Sequence, residues 1–509
     1  MLDVLIVGGG PAGLAIAARL LERTPDALFS DLEQQRFHWL HKKRINTLNH
    51  RNKTFEHPKL EIHCIDATSG SWMGQWDRQF EACQIPFLRS PMFFHPDPQD
   101  INGMIAFAYK NGRQKQLMKI TGVAGKELSK HQMKKRRNKH RPIEVDHRDD
   151  KDYFRPSTKL FHDYCQDIVQ RYDLEDKISH QKCSKIDYDE TDKVFTVETC
   201  CGDVIQARYV VLACGPIGEI NQDINSPNFP TGCCHTSDLF KALNQSVVSF
   251  PPSQVQHNSQ YVVVGGGLTG AQLCHRLLSQ KGVTKVHWIL RSRVKVKHFD
   301  FDLEWVSKYK NYMKSTFWML DTDEERWHMI KQARDGGSVN PEYYHHVKSY
   351  EKKGVLEIHE HSTFEPGQWS TQQQQWTDSK VYMGSSAVKI LHELKYVYYA
   401  TGSTPNINGV EFLQPLLKSY PIETIGSGLP CLTDDLEWSK DVPLYITGRL
   451  AFLRLGPAGA NLEGARVGAE RIASSIQERI QQDRKLQVAA TTYLELPQRG
   501  ENQYSILEV

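Results

Sequence analysis

Two stretches of this chain share one pattern of apolar and small residues. Val4-Leu5-Ile6-Val7 is an apolar run that leads into Gly8-Gly9-Gly10-Pro11-Ala12-Gly13, then into Leu14-Ala15-Ile16-Ala17-Ala18-Arg19-Leu20-Leu21. Far along the chain, Tyr261-Val262-Val263-Val264 leads into Gly265-Gly266-Gly267-Leu268-Thr269-Gly270, and helical spacing follows from Ala271 to Leu278. A short unbroken apolar run predicts a strand buried on both faces, and the residues after each glycine segment predict a helix. Strand–glycine turn–helix therefore occurs twice.

The pattern elsewhere predicts alternation of the same two elements. Helices are expected over Ile101–Tyr109, Lys159–Tyr172, Glu324–Arg334 and Ala460–Gln482. Strands are expected over Lys182–Tyr188, Val194–Thr199, Val204–Ala207, Tyr209–Ala213, Val286–Leu290, Tyr396–Tyr399 and Leu444–Ile446. Two strands end alike, in Ala213-Cys214-Gly215 and Ala400-Thr401-Gly402. Ser249 to Ser259, rich in Ser, Gln and Pro, reads as a linker. The predicted class is α/β, with two Rossmann-like domains and the first discontinuous around the second. The expected boundaries are 1–255 and 396–486 for the first domain, 256–395 for the second, and 487–509 for a tail.

The glycine spacing carries specific chemistry. In G-x-G-x-x-G the first glycine (Gly8, Gly265) permits a tight turn. The second (Gly10, Gly267) lets backbone approach a pyrophosphate, and the third (Gly13, Gly270) lets helix pack on strand. The helix N-terminus, with Pro11 or Thr269 in its first turn, then presents N–H groups to the phosphates. After the first motif, Glu33 ends the strand-like Ala27–Leu32 at the distance expected of a ribose-binding acid, with Asp31 as the alternative. After the second, the predicted strand ends in Arg291-Ser292-Arg293. Arginines accept a 2′-phosphate that an acid would repel, so the second site is expected to take NADPH.

Composition narrows the rest. A chain of 509 residues exceeds a single simple core. Lys+Arg at 63 against Asp+Glu at 60 gives no overall basic surface, so no nucleic-acid partner is expected. The exception is a basic insert over 126–148 centred on Lys134-Lys135-Arg136-Arg137. The 11 cysteines contain no C-x-x-C, which points to a reducing compartment, and no metal site is expected. No apolar run reaches membrane-spanning length and no secretory leader opens the chain, so a cytoplasmic protein is expected. Gly70-Ser71-Trp72-Met73-Gly74 reads either as a wall for a flat ligand or as a tryptophan-rich core corner. His95, in the proline-rich His95-Pro96-Asp97-Pro98, is a candidate acid or base.

Taken together, these motifs resemble the two-dinucleotide-fold flavoproteins, and most closely the lysine and ornithine N-hydroxylating monooxygenases. The similar stretches are Phe37-His38-Trp39, Leu88-Arg89-Ser90-Pro91, Arg155-Pro156-Ser157 through Asp163-Tyr164, Val262–Gln272 with Arg291, Tyr398–Gly402, and Leu455–Arg466. The resemblance implies a three-layer ββα architecture for each domain, with FAD in the first and NADPH in the second. It places Trp72 and Arg89 near the flavin, with Gly456 and Pro457 at the flavin's pyrimidine edge, and counts Trp39 among the cofactor-binding residues. It implies transfer of one oxygen atom from O2, through a C4a-hydroperoxyflavin, to a small nucleophile, an amine or a sulfur compound. Such chemistry is centred on the cofactor and requires no acid–base dyad, leaving Arg89 and His95 as the protein's only catalytic candidates. One departure stands out: no lysine lies between Gly70 and Pro91, where the resemblance calls for one to hold an amino-acid carboxylate. The alternatives are a flavin- or NADPH-binding regulator of the same fold and a disulfide reductase.

Overall fold

The apolar runs become the central strands of two sheets. A computed structural model describes residues 1–22, 60–123, 152–215, 219–220, 232–241, 259–384 and 387–492. In chain order, β1 (Leu2–Val7) precedes α1 (Pro11–Leu21) and β2 (Ile62–Asp66). Next come α2 (Gly74–Ala82), α3 (Thr158–Arg171) and β3 (Ile178–His180). A meander follows through β4 (Cys183–Asp189), β5 (Val194–Thr199) and β6 (Val204–Leu212). The first sheet has the order β3-β2-β1-β6-β5-β4, with β1 parallel to β2 and β6.

The second sheet repeats that plan. Its strands are β7 (Cys233–His235), β8 (Ser259–Val264), β9 (Val283–Ile289), β10 (Leu356–His359), β12 (Gln368–Ser370), β13 (Gln375–Thr377) and β16 (Leu394–Tyr399). Their order is β10-β9-β8-β16-β13-β12, with β7 beside β16. A helix, α4 (Leu268–Leu278), joins β8 to β9. A three-stranded sheet of β11 (Ser362–Glu365), β14 (Ser379–Met383) and β15 (Ala387–Leu391) covers the face carrying Val262, Ile289 and Val397. The opposite face, with Val263 and Trp288, packs on α4 and on Tyr343 and Val347 of the helix Pro341–Lys352. The second unit thus has the expected ββα layering.

The first sheet is completed last. β17 (Leu444–Ile446) lies parallel to β6, as β7 lies beside β16. The final helix, α5 (Leu462–Thr492), crosses α1, where Arg19 donates to both carboxylate oxygens of Glu470 at 2.5 and 2.8 Å.

Strand pairing and core packing cross the expected division at three places. Cys233–His235, assigned by sequence to the first domain, hydrogen-bonds into the second sheet. Leu394–Tyr399 is a central strand of the second sheet, so a return at residue 396 falls inside a strand. The stretch from Phe299 to Ala333, inside the expected second domain, buries Phe301, Trp305, Phe317 and Ile330 in the core of the first. In each case edge pairing or a large aromatic contact overrides chain proximity. The basic insert lies outside the described residues.

The third glycines set the closest helix–strand approach. A Cβ on Gly13 would lie 2.0 Å from the carbonyl oxygen of Gly8, and one on Gly270 would lie 2.4 Å from that of Gly265. Backbone on both sides leaves nothing to move. Gly13→Ala is therefore expected to destabilise the protein by about 3 kcal/mol, at the upper end for overpacking, measured by denaturant unfolding.

Candidate functional site

Each glycine motif is built at the carboxyl end of its sheet. Gly8 has φ +114° and donates its N–H to Ile65 O at 2.8 Å. Its missing Cβ leaves room for Ala213 O, which would otherwise sit at 2.5 Å. Gly10 caps α1, and among the described residues nothing lies within 4 Å of its Cβ position. That open space at a helix N-terminus, beside Pro11 at the first helical position, is a cradle sized for backbone-to-phosphate approach. Its far side is fixed by Met73, whose N–H donates to Gly9 O at 2.7 Å.

Glu33 and Trp39 lie outside the described residues. The strand beside β1 is Ile62–Asp66, so the acid at its end is Asp66. One carboxylate oxygen of Asp66 accepts from Gly9 N–H at 2.8 Å, and the other accepts from the N–H groups of Thr68 and Ser69. Sequence reading missed Asp66 because the segment between α1 and β2 is longer than the motif's usual spacing. The alternating Ile62-His63-Cys64-Ile65 run was the available signal.

The second motif has the same construction. Gly265 has φ +131°, donates to Ile289 O at 2.9 Å, and would place a Cβ 2.2 Å from Ala400 O. The indole N–H of Trp288 donates to Gly265 O at 2.8 Å and braces the turn. Gly267 caps α4, and Gly337 packs on it so closely that a Cβ on Gly337 would lie 2.9 Å from Gly267 backbone. Arg291 and Arg293 are exposed just beyond the end of β9.

The remaining predicted residues have definite places. Trp72 is buried and donates its indole N–H to Leu174 O at 2.8 Å, the core-corner arrangement. Arg89 crosses from one unit to the other. Its guanidinium donates to His298 O (3.0 Å), Lys297 O (2.9 Å), Phe299 O, and both Ser338 O (3.2 Å) and Ser338 Oγ (2.9 Å). Burial pushes its pKa down to about 10. Arg89 is thus engaged as a tether. His95 is fully buried, with Nε2 on Ile101 O at 3.0 Å and Nδ1 without a partner. Burial and the nearby Arg466 hold it neutral, with a pKa of about 3. Gly456, at φ +70°, packs beneath Trp305, and Pro457 O accepts from Arg334 at 2.7 Å.

Buried polar atoms without partners mark where further groups are needed. Gln75 Oε1 and Trp76 Nε1 lie on α2, one turn beyond the Met73–Gly9 contact. Nε and Nη1 of Arg466, a residue 4 % exposed on α5, are also unpartnered. Between the units, a cavity of ≈ 170 Å³ is lined by Phe80, Cys83, Phe87 and Arg89 on one side and Thr269, Gln272, Asn340 and Tyr343 on the other. The open cradle at Gly10 and the orphaned atoms of α2 fit FAD on the first unit. The exposed arginines at the end of β9 fit NADPH on the second.

A methyl group at Gly10 meets no atom of the described residues, so the substitution separates binding from folding. Gly10→Ala is expected to keep the stability within about 1 kcal/mol while weakening FAD binding at least tenfold, measured by flavin-fluorescence titration.

Comparison with known proteins agrees with this geometry. The family described as L-lysine 6-monooxygenase/L-ornithine 5-monooxygenase matches residues 150–402. Among solved structures, the chain is similar to an ornithine N-hydroxylase of Kutzneria sp. 744, in a structure with reduced FAD, NADP+ and L-ornithine. That similarity has TM-score 0.63 and 16% identity, covering 94% of this chain and 99% of that one. It is also similar to the ornithine hydroxylase of Pseudomonas aeruginosa, with TM-score 0.62 and 14% identity, covering 94% and 100% of the two chains. A third similarity is to the FAD-bound cadaverine monooxygenase of Erwinia amylovora, with TM-score 0.61, 14% identity and 94% of each chain covered. No curated protein sequence matches. In sequence over residues 150–402, and in fold along nearly the whole chain, this protein is thus similar to the N-hydroxylating flavin monooxygenases.

Proposed function

We propose that this chain uses FAD and NADPH to transfer one oxygen atom from O2 to the nitrogen of a small primary amine. The observation that carries this reading is the pair of matching glycine cradles, one at the carboxyl end of each sheet, with Leu268 and Thr269 of the second lining the inter-unit cavity. Bound FAD would supply the two-electron chemistry that accepts hydride from NADPH and activates O2. The chain's own residues bind, orient and exclude water. Gly8, Gly10, Pro11 and Gly13 hold the pyrophosphate of FAD, and Asp66 keeps the loop on its neighbouring strand. Gly265, Gly267, Thr269 and Gly270 hold that of NADPH, with Arg291 and Arg293 on its 2′-phosphate. Arg89 fixes the spacing between the units, and Phe80 and Phe87 give the cavity an apolar wall. The amine reacts through its lone pair and so must be unprotonated.

A thiol–disulfide mechanism is disfavoured by the state of the cysteines near the first cradle. Burial holds the Cys64 and Cys214 thiols well above their ordinary range, opposite to what a redox-active thiolate requires.

Two measurements test the reading. Anaerobic NADPH is expected to bleach the flavin absorbance of the FAD-loaded protein, and air is expected to restore it; an unchanged band would overturn the proposal. Removing both guanidinium groups in Arg291→Ala/Arg293→Ala is expected to raise the KM for NADPH by about 10- to 100-fold, the worth of charge-assisted hydrogen bonds, and that for NADH by less than about threefold. Equal changes in steady-state assays would remove the 2′-phosphate assignment.

A further inference from the structure

The strands β9 and β10 carry a polar cluster that neither glycine cradle uses. His287 and Glu357 stand side by side in the parallel register, and His359 lies two residues beyond Glu357 on the same face. This face meets the β11-β14-β15 sheet, where the neighbouring inward residues, Val262, Ile289 and Val381, are apolar. His287 is 2 % exposed and His359 is 5 % exposed. Two imidazoles in such a layer require a polar counterpart.

Their nitrogens converge. Nδ1 of His287 lies 3.2 Å from Nε2 of His359. Oε2 of Glu357 lies 3.6 Å from the first, and its Oε1 lies 3.7 Å from the second. A tetrahedral ion with ligands at about 2.0–2.2 Å has ligand–ligand edges of roughly 3.3–3.6 Å. The two imidazole nitrogens stand near one such edge, each has a Glu357 oxygen close to that distance, and one ligand atom from each of the three residues fits within 4.8 Å of the others. The other ring nitrogen of His287 faces Gln260 Oε1 at 3.4 Å, the type of outer partner that turns Nδ1 inward as a lone-pair donor. Glu357 is half-buried, which leaves its side of the cluster open to a water as fourth ligand.

From this geometry we infer that His287, Glu357 and His359 form a binding site for a divalent transition-metal ion of the zinc type. Two imidazoles and one carboxylate, with a position left for water, suit Zn2+ over Mg2+ or Ca2+, which favour oxygen donors. The competitors are visible. Lys285 sits 2.8 Å from Glu357 Oε2, and Lys389 of β15 contacts Oε1. Both ammonium groups ride on flexible, partly exposed stems, and exposed ion pairs are weak, so an ion at the histidines displaces them. The bound ion braces the end of β9, because His359 O accepts the N–H of Leu290, the residue before Arg291.

The test uses the untagged, FAD-loaded full-length protein, stripped with a chelator and titrated with Zn2+ against a chromophoric chelator. One equivalent is expected to bind. His359→Ala and Glu357→Gln are expected to weaken it by at least about 100-fold, beyond what loss of an outer partner brings. Lys389→Ala, by removing a competitor, is expected to tighten it about three- to tenfold, a change that a purely structural ion pair would not produce. Absence of stoichiometric binding, or stoichiometric binding unchanged in His359→Ala, overturns the site. Should the histidine variant fail to fold, Zn2+ affinity unaltered by Lys389→Ala overturns it equally.

Discussion

Close approach of glycine backbone to a neighbouring carbonyl is the constraint on which the rest of this structure depends. Gly8 lies against Ala213 O, and Gly13 lies against Gly8 O. The second unit reproduces both contacts, with Gly265 against Ala400 O and Gly270 against Gly265 O. Any side chain would push helix, strand and turn apart. With hydrogen in that place, strand ends and helix N-terminus converge on one point of open space at Gly10, where unpaired N–H groups and the helix dipole favour an anion.

Two such cradles perform joint chemistry only at a fixed separation, and buried charges set it here. Arg89 reaches from the first unit to the carbonyls of 297–299 and 338. Arg155, 8 % exposed, pairs with Glu342 of the helix beside the second cradle. A desolvated guanidinium is costly unless its donors are satisfied, so these contacts hold one geometry and penalise others. The same stretch that Arg89 grips then carries Phe301, Trp305 and Phe317 into the first core, so the two units are interlocked as well as linked. The inter-unit cavity is a consequence of this interlock.

The unpartnered polar atoms follow a different logic. Among the described residues, Gln75 and Trp76 on α2, His95 in the proline-rich loop and Arg466 on α5 carry such atoms in the first unit. Buried donors and acceptors are normally paired, so each such atom marks a place where a further group could complete the bonding. Their position agrees with the cradle at Gly10.

The sequence by itself determined the two strand–glycine–helix units, because apolar runs and glycine spacing are local properties with one steric solution. It also determined the arginines after β9, since charge at a strand end needs no partner to be read. Tertiary structure decided what depends on pairing across distance. Cys233–His235 and Leu394–Tyr399 joined the second sheet because hydrogen-bonding edges were free there. Asp66 stands at the end of the strand beside β1, a position that motif spacing alone does not reach. Trp72 turned from ligand wall to core corner because Leu174 O was within reach of its indole. Arg89 became a tether because the carbonyls that satisfy it come from residues more than 200 positions away, a proximity that no local pattern encodes. His287, Glu357 and His359 likewise met only through the register of two parallel strands.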